Sequence, residues 1–259
     1  NLLGTDKLET VGEKYMSMKK WVGTFEGNED VCGLDTGLIR VYGTPDGKDV
    51  AKANADFKFS KLDLSYIGEE VSVLYKDATG GTANKPDKKD TIYGVYVTGE
   101  TKVYNITKDD LQSQKDAGTV RFGDKNYDVA KIAKDDEYIN YNYGAKKDTA
   151  AAAMTADQVA DDMISKLKAT SADTVKFICN DDGDIVKAYV VESKLARVTA
   201  VNSEKVSINN GVGTIKFEDN DIYDGVKKDD IVVVTTLYNT KATNSAAKST
   251  VVKAATVEG

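Results

Sequence analysis

The chain has 259 residues, of which 41% are hydrophobic and 30% charged, with 14 tyrosines; this is the composition of a folded chain rather than a disordered one. Its net charge of −7, with no run of Lys or Arg free of interleaved Asp or Glu, repels phosphate backbones and argues against nucleic acid as a partner. It contains no histidine, which removes the commonest general base, the commonest zinc ligand and every Ser-His or Cys-His nucleophile pair.

The first twenty residues mix Leu2, Leu3, Leu8, Met16 and Met18 with charges and show no clean period, so they read as a lead-in that becomes a short helix or strand before Trp21. The segment has no charged-then-apolar leader, and any secretion signal is expected to have been removed or to lie outside the chain. Strand patterns then begin. Trp21–Phe25 and the alternating Leu38–Tyr42 are followed by a Thr44-Pro-Asp-Gly47 turn, with Pro45 expected at its second position. Asp56–Leu64 alternates Phe57 and Phe59. A turn carrying Glu69 and Glu70 leads into Val71–Tyr75. Lys76–Asp90 reads as an exposed polar loop. Thr91–Val97 and Lys102–Ile106 are expected to complete a sheet of about five strands.

The middle, from about Lys108 to Val191, carries the one convincing helix pattern. Thr155 and Gln158 form a capping box, and behind it Val159, Met163 and Leu167 recur every four residues. The apolar face is expected on a sheet of Thr119–Phe122, Asn126–Val129, Tyr138–Tyr143 and the hairpin Val175–Ile178 with Ile185–Val191, giving a small α+β module.

The last part repeats the order of the first. Leu195–Val201, Lys205–Ile208 and Thr214–Phe217 precede a turn with Asp229 and Asp230 and the strand Ile231–Tyr238. A polar loop, Asn239–Ser249, and Thr250–Val257 close the set. Aligning the paired carboxylates places Val71 opposite Ile231 in the two copies. The fold expected is therefore mainly β: two small antiparallel β-barrel or sandwich modules, residues 1–107 and 193–259, bracketing a middle module at 108–192 with one amphipathic helix. No apolar run approaches the ~20 residues of a membrane-spanning helix.

Candidate chemistry is sparse. In Asn180-Asp-Asp-Gly-Asp184 the side chains of Asn180, Asp182 and Asp184 have the alternate oxygen spacing that suits calcium. Its glycine comes too early for an EF-hand loop and the closing glutamate is missing, so a hairpin tip is the better reading and no cofactor is expected. Glu69-Glu70 and Asp229-Asp230 are adjacent on strands, hence point to opposite faces and cannot close on one substrate bond. Tyr141 and Tyr143, alternating with Asn140 and Asn142, are candidate glycan contacts, against the commoner reading of an aromatic ladder within a sheet. Trp21 stands between the same two readings. Cys32 and Cys179 match no metal spacing and read as two unpaired thiols, with a disulfide between them as the alternative.

Lys14–Phe25, Asp63–Val71, Asp90–Gly94 and Asp219–Asp224 together resemble the extracellular regions of Gram-positive bacterial surface proteins that carry S-layer homology (SLH) repeats, and the similarity runs over nearly the whole chain. The resemblance implies a secreted, non-catalytic, wall-associated structural protein anchored by repeats that are not in this sequence. From it follow the expected localisation, the cell surface or cell wall, and the expected partners, which are copies of itself, neighbouring surface proteins, or wall polysaccharide. The alternative function is that of an adhesin or glycan-binding module. Self-association is expected through the sparsely guarded closing strand Thr250–Val257.

Overall fold

The computed structural model describes residues 16–59, 62–78, 85–114, 119–129, 131–132, 137–138, 172–238 and 247–254. They are mainly β. The expected helix at 155–168, with Tyr141 and Tyr143, lies outside them. The chain divides into two compact units, one of residues 1–62 and 66–100, the other of 63–65 and 101–259.

The first unit is built on β1 (Lys19–Asn28), which alternates Trp21, Gly23 and Phe25 inward. A bulge follows Phe25, and Asn28 then caps a one-turn helix, α1 (Glu29–Cys32), by accepting the Val31 N–H at 3.2 Å. Nothing in the sequence reading marked this helix. β2 (Leu38–Pro45) runs into β3 (Ala53–Lys58) through a tight turn at Pro45–Lys48. Pro45 is the first residue of that turn rather than the second. Asp46 and Gly47, both at positive φ, take the central positions, as the mirror-image turns that suit a twisted hairpin require. β4 (Glu70–Lys76) and β5 (Thr91–Val97) complete a five-stranded antiparallel sheet ordered β3-β2-β1-β4-β5.

The second unit begins with β6 (Lys102–Thr107), β7 (Gln112–Gln114), β8 (Thr119–Phe122), β9 (Lys125–Asp128) and the short pair β10 (Lys131–Ile132) and β11 (Glu137–Tyr138). β6 does not extend the first sheet as the sequence suggested. It pairs along its length with β12 (Thr174–Cys179), from Lys102↔Cys179 to Thr107↔Thr174. β12 in turn forms the expected hairpin with β13 (Ile185–Val201). The Phe122, Tyr127 and Phe177 rings stack between this sheet and β7-β8-β9, in a core with Val120, Val175, Val190 and Ile185.

β13 is one continuous 17-residue strand, not two. Its first half pairs with β12, and its second half is the central strand of the rest: β14 (Lys205–Ile208), β15 (Gly213–Lys216), β16 (Asp221–Ile222), β17 (Ile231–Tyr238) and β18 (Ala247–Lys253), ordered β15-β14-β13-β17-β18-β16. Glu192-Ser-Lys194, where the sequence suggested a break, contains no glycine or proline. Each sheet is open, with β3 and β5 ending the first and β15 and β16 ending this path of the second. Closed barrels, one of the two expected forms, are absent among the described residues.

The two sheets share one design. β3-β2-β1-β4-β5 corresponds strand for strand to β15-β14-β13-β17-β18, and the ladders agree residue by residue except for a bulge in β5 that β18 lacks. Phe25 and Val198 each donate N–H to the turn before the next strand, at Glu69 and Asp230, and each accepts from the preceding residue, Gly68 and Asp229. Both of those residues sit at positive φ. The bulge after Phe25 recurs after Val198. Arg40 bonded to Asp56 across β2 and β3 is replaced by Ser207 and Thr214 across β14 and β15. This register pairs Glu69 with Asp230 and Val71 with Val232, one residue away from the alignment read off the paired carboxylates. Among the described residues no helix is long and apolar enough to cross a membrane.

Candidate functional site

Asn180–Asp184 is the tip of the β12–β13 hairpin. Asn180 Oδ1 accepts the Asp184 N–H at 2.8 Å, Asn180 N–H reaches the Asp184 carbonyl at 3.0 Å, and Gly183 closes the turn onto the Asn180 carbonyl at 3.1 Å. The Lys102 ammonium donates to the Asp181 carbonyl at 3.2 Å. The one amide oxygen of the candidate calcium set is therefore engaged by the turn itself. No group of three or more metal-ligating side chains stands together among the described residues.

The paired carboxylates do not lie side by side on strands as expected: Glu69, Asp229 and Asp230 precede β4 and β17, and Asp229 sits in the turn at positive φ, yet the members of the second pair still separate. Asp229 is exposed and pairs with Arg197 at 3.0 Å, whereas Asp230 is buried. Asp230 clasps the turn that starts β17: it accepts the Tyr223 hydroxyl, the Lys227 N–H at 3.0 Å, and faces the Lys253 ammonium at 3.5 Å. The Tyr223 hydroxyl above all, then the Lys227 N–H, hold the Asp230 carboxyl below its ordinary value. Burial first, then the same bond, push the Tyr223 hydroxyl well up. In the first sheet Glu70 accepts the Thr98 hydroxyl at 2.9 Å. A carboxyl depressed by folding contributes stability that is full above its unfolded value, about 3.9, and is lost as pH falls through its folded value. Asp230→Asn is accordingly expected to destabilise at neutral pH, with the deficit shrinking below about pH 4, as urea unfolding of both proteins across pH would register. A deficit independent of pH would mean that the charge is immaterial to the clasp.

Cys179 is a buried thiol whose burial raises its pKa to about 11, and Cys32, the last residue of α1, is half-buried; neither is in a disulfide. A thiol held in its protonated form is a poor nucleophile.

Sequence reading missed a cleft on the inner face of the second sheet. It has a volume of about 390 Å³. Glu192 and Lys194 of β13, Thr236 and Tyr238 of β17, and Ser249 of β18 line it, with Val212, Ile215 and Val234 as apolar wall. Glu192 is buried, accepts the Asp173 N–H at 3.3 Å and pairs with Lys194 at 3.0 Å. The Thr236 and Ser249 hydroxyls are 3.0 Å apart. Asn220, at the rim, accepts the Ser249 N–H at 2.9 Å. The detectable signal was polar residues at inward positions of strands: Lys194 and Thr236 fall in step with the core residues Ala196, Val198, Val232 and Val234. Reading it required the register, which the paired carboxylates misplaced. No family model matches the chain, and no curated protein matches it.

Proposed function

We propose that the chain is a non-catalytic structural module of a secreted, cell-wall-associated surface protein of the S-layer type, in which two open β modules of one design bracket a middle module and associate with copies of themselves or with neighbouring surface proteins. The observation that carries this reading is β5. An open sheet presents unpaired N–H and C=O groups along its terminal strand, and soluble monomers guard such edges with charge, proline or bulges. Thr91–Val97 contains no charged residue and no proline; its one interruption is a bulge in which Tyr93, half exposed, is the extra residue between Ile92 and Gly94. The other sheet ends are guarded differently. β3 carries Asp56 and Lys58, β15 carries Lys216, β6, which ends the sheet beyond β12, carries Lys102, and β16 is two residues long.

The edge expected from sequence was the closing strand; β5 is the better candidate because part of β18 is already paired. The outer side of β18 is paired at its middle by β16, which runs parallel to it through Asp221↔Thr250 and Ile222↔Val251. Its counterpart β5 has no such cover among the described residues. Addition of a neighbour's strand there would contribute main-chain hydrogen bonds without any special side chain.

The test is light scattering and electron microscopy at rising concentration, with Thr91→Lys/Tyr93→Lys as the comparison. The intact protein is expected to form oligomers or arrays, and the variant, whose two exposed positions then carry charge on the edge, to remain monomeric with an unchanged urea midpoint. An intact protein that stays monomeric would sink the assembly reading and favour the adhesin.

A further inference from the structure

The shared design of the two sheets makes each a reference for the other. In the first, Trp21 at the start of β1 and Tyr75 at the end of β4 are buried on the inner face, and so is Phe57 on β3. The ladders pair Trp21 with Val73 and Lys194 with Val234, so Lys194 stands where Trp21 does and Thr236 where Tyr75 does. Ile215 takes the place of Phe57. Three aromatic rings are thus exchanged for an ammonium, a hydroxyl and a smaller aliphatic chain, and that end of the second sheet holds the cleft instead of a packed core.

Its chemistry restricts the occupant. The Glu192 carboxylate is balanced by Lys194, and at the rim Lys216 stands with Asp219, so the cleft offers no net charge to attract an anion or a cation. It offers a hydroxyl pair, a carboxylate and an ammonium on one side and the aliphatic side chains of Val212, Ile215 and Val234 on the other. Sites for small ligands combine an apolar lining with a few placed polar groups, in volumes of about 300–1,000 Å³, and this cleft lies at the small end of that range. A ligand that presents alternating hydroxyl donors and acceptors along one edge and C–H groups on its face, without charge, matches both walls. We infer that the cleft between β13, β17 and β18 is a binding site for a neutral saccharide unit.

Because the cleft belongs to the second unit and the uncharged edge strand to the first, failure of either proposal leaves the other standing. The experiment is titration of the ¹⁵N-labelled protein with glucose, N-acetylglucosamine, glucuronate and glycine, followed by amide chemical shifts. At least one of the two neutral sugars is expected to shift the amides of Lys194, Thr236 and Ser249 saturably, while glucuronate and glycine do not. Lys194→Trp/Thr236→Tyr, which writes the first sheet's residues into the second, is expected to abolish the shifts. Thr236→Val/Ser249→Ala removes the hydroxyl pair at nearly constant volume and keeps the test decisive if the bulky pair fails to fold; it is expected to weaken binding about tenfold. No saturable shift with either neutral sugar, shifts confined to other residues, binding that survives the Thr236→Val/Ser249→Ala change, or stronger response to glycine or glucuronate would each overturn the inference.

Discussion

Phe177→Ala is expected to lower the free energy of unfolding by ~3–5 kcal/mol, the usual cost of emptying a fully buried aromatic position. Phe177 is inaccessible to solvent on β12, and its ring lies nearly parallel to Phe122, with centroids 5.5 Å apart. Phe122 stacks in turn on Tyr127 at 3.9 Å and meets Tyr104 at 5.4 Å. Removing the ring therefore takes away the end member of a chain of aromatic rings, the one that joins β12 to the β8–β9 hairpin. The space cannot collapse cheaply, because β12 is held on both sides, by β6 and by β13. A urea titration read by far-ultraviolet circular dichroism measures it. A loss below ~1 kcal/mol would mean that these rings do not form a shared core.

Gly43→Ala is expected to be at least as damaging, by more than ~3 kcal/mol, although it adds a single methyl group. Overpacking ordinarily costs ~1–3 kcal/mol because side chains yield. Here the obstacle is main chain: a Cβ at Gly43 would lie 2.0 Å from the Val22 carbonyl oxygen and 2.6 Å from the Gly23 Cα. Gly23 and Gly43 face each other across β1 and β2, which approach too closely for either to carry a side chain. Relief requires parting the two strands beside Trp21, which pairs with Pro45 two residues along. Trp21 is the only tryptophan of the chain, so its fluorescence in a denaturant titration reads this region directly. An unchanged midpoint would rule out the close approach.

The duplication was visible in the sequence and its register was not. Matching Glu69-Glu70 with Asp229-Asp230 uses side-chain chemistry, but the position that matters is the left-handed third residue of the turn, Gly68 in one copy and Asp229 in the other. Asp tolerates that conformation better than most residues with a side chain, so glycine and aspartate are equivalent there for backbone reasons. The consequence is large because side chains alternate along a strand: a slip of one residue exchanges inside for outside. The carboxylate alignment matches Val71, which is fully buried, with Ile231, which is 46% exposed; the ladder matches it with Val232, fully buried like itself. Only in that register do Lys194 and Thr236 appear opposite Trp21 and Tyr75.

The sequence by itself determined the elements whose causes are local. Alternation in Leu38–Tyr42 and Lys205–Ile208, and the Asn-Asp-Gly composition at 180–184, specify strands and a hairpin tip through contacts between near neighbours, and the structure places strands and a turn there. Tertiary structure alone decided which strand lies beside which. Lys102–Thr107 has the pattern of a sixth strand for the first sheet, yet it pairs with β12, about seventy residues away. The closing strand looks like an open edge until Asp221–Ile222, too short to be recognised as a strand, pairs in parallel with Thr250 and Val251 at its middle. Backbone hydrogen bonds carry no record of side-chain identity, so any strand of suitable length satisfies any edge. The choice among edges is made by which pairing buries Phe177 on Phe122, or Val232 among its neighbours, and that depends on residues the local pattern does not contain.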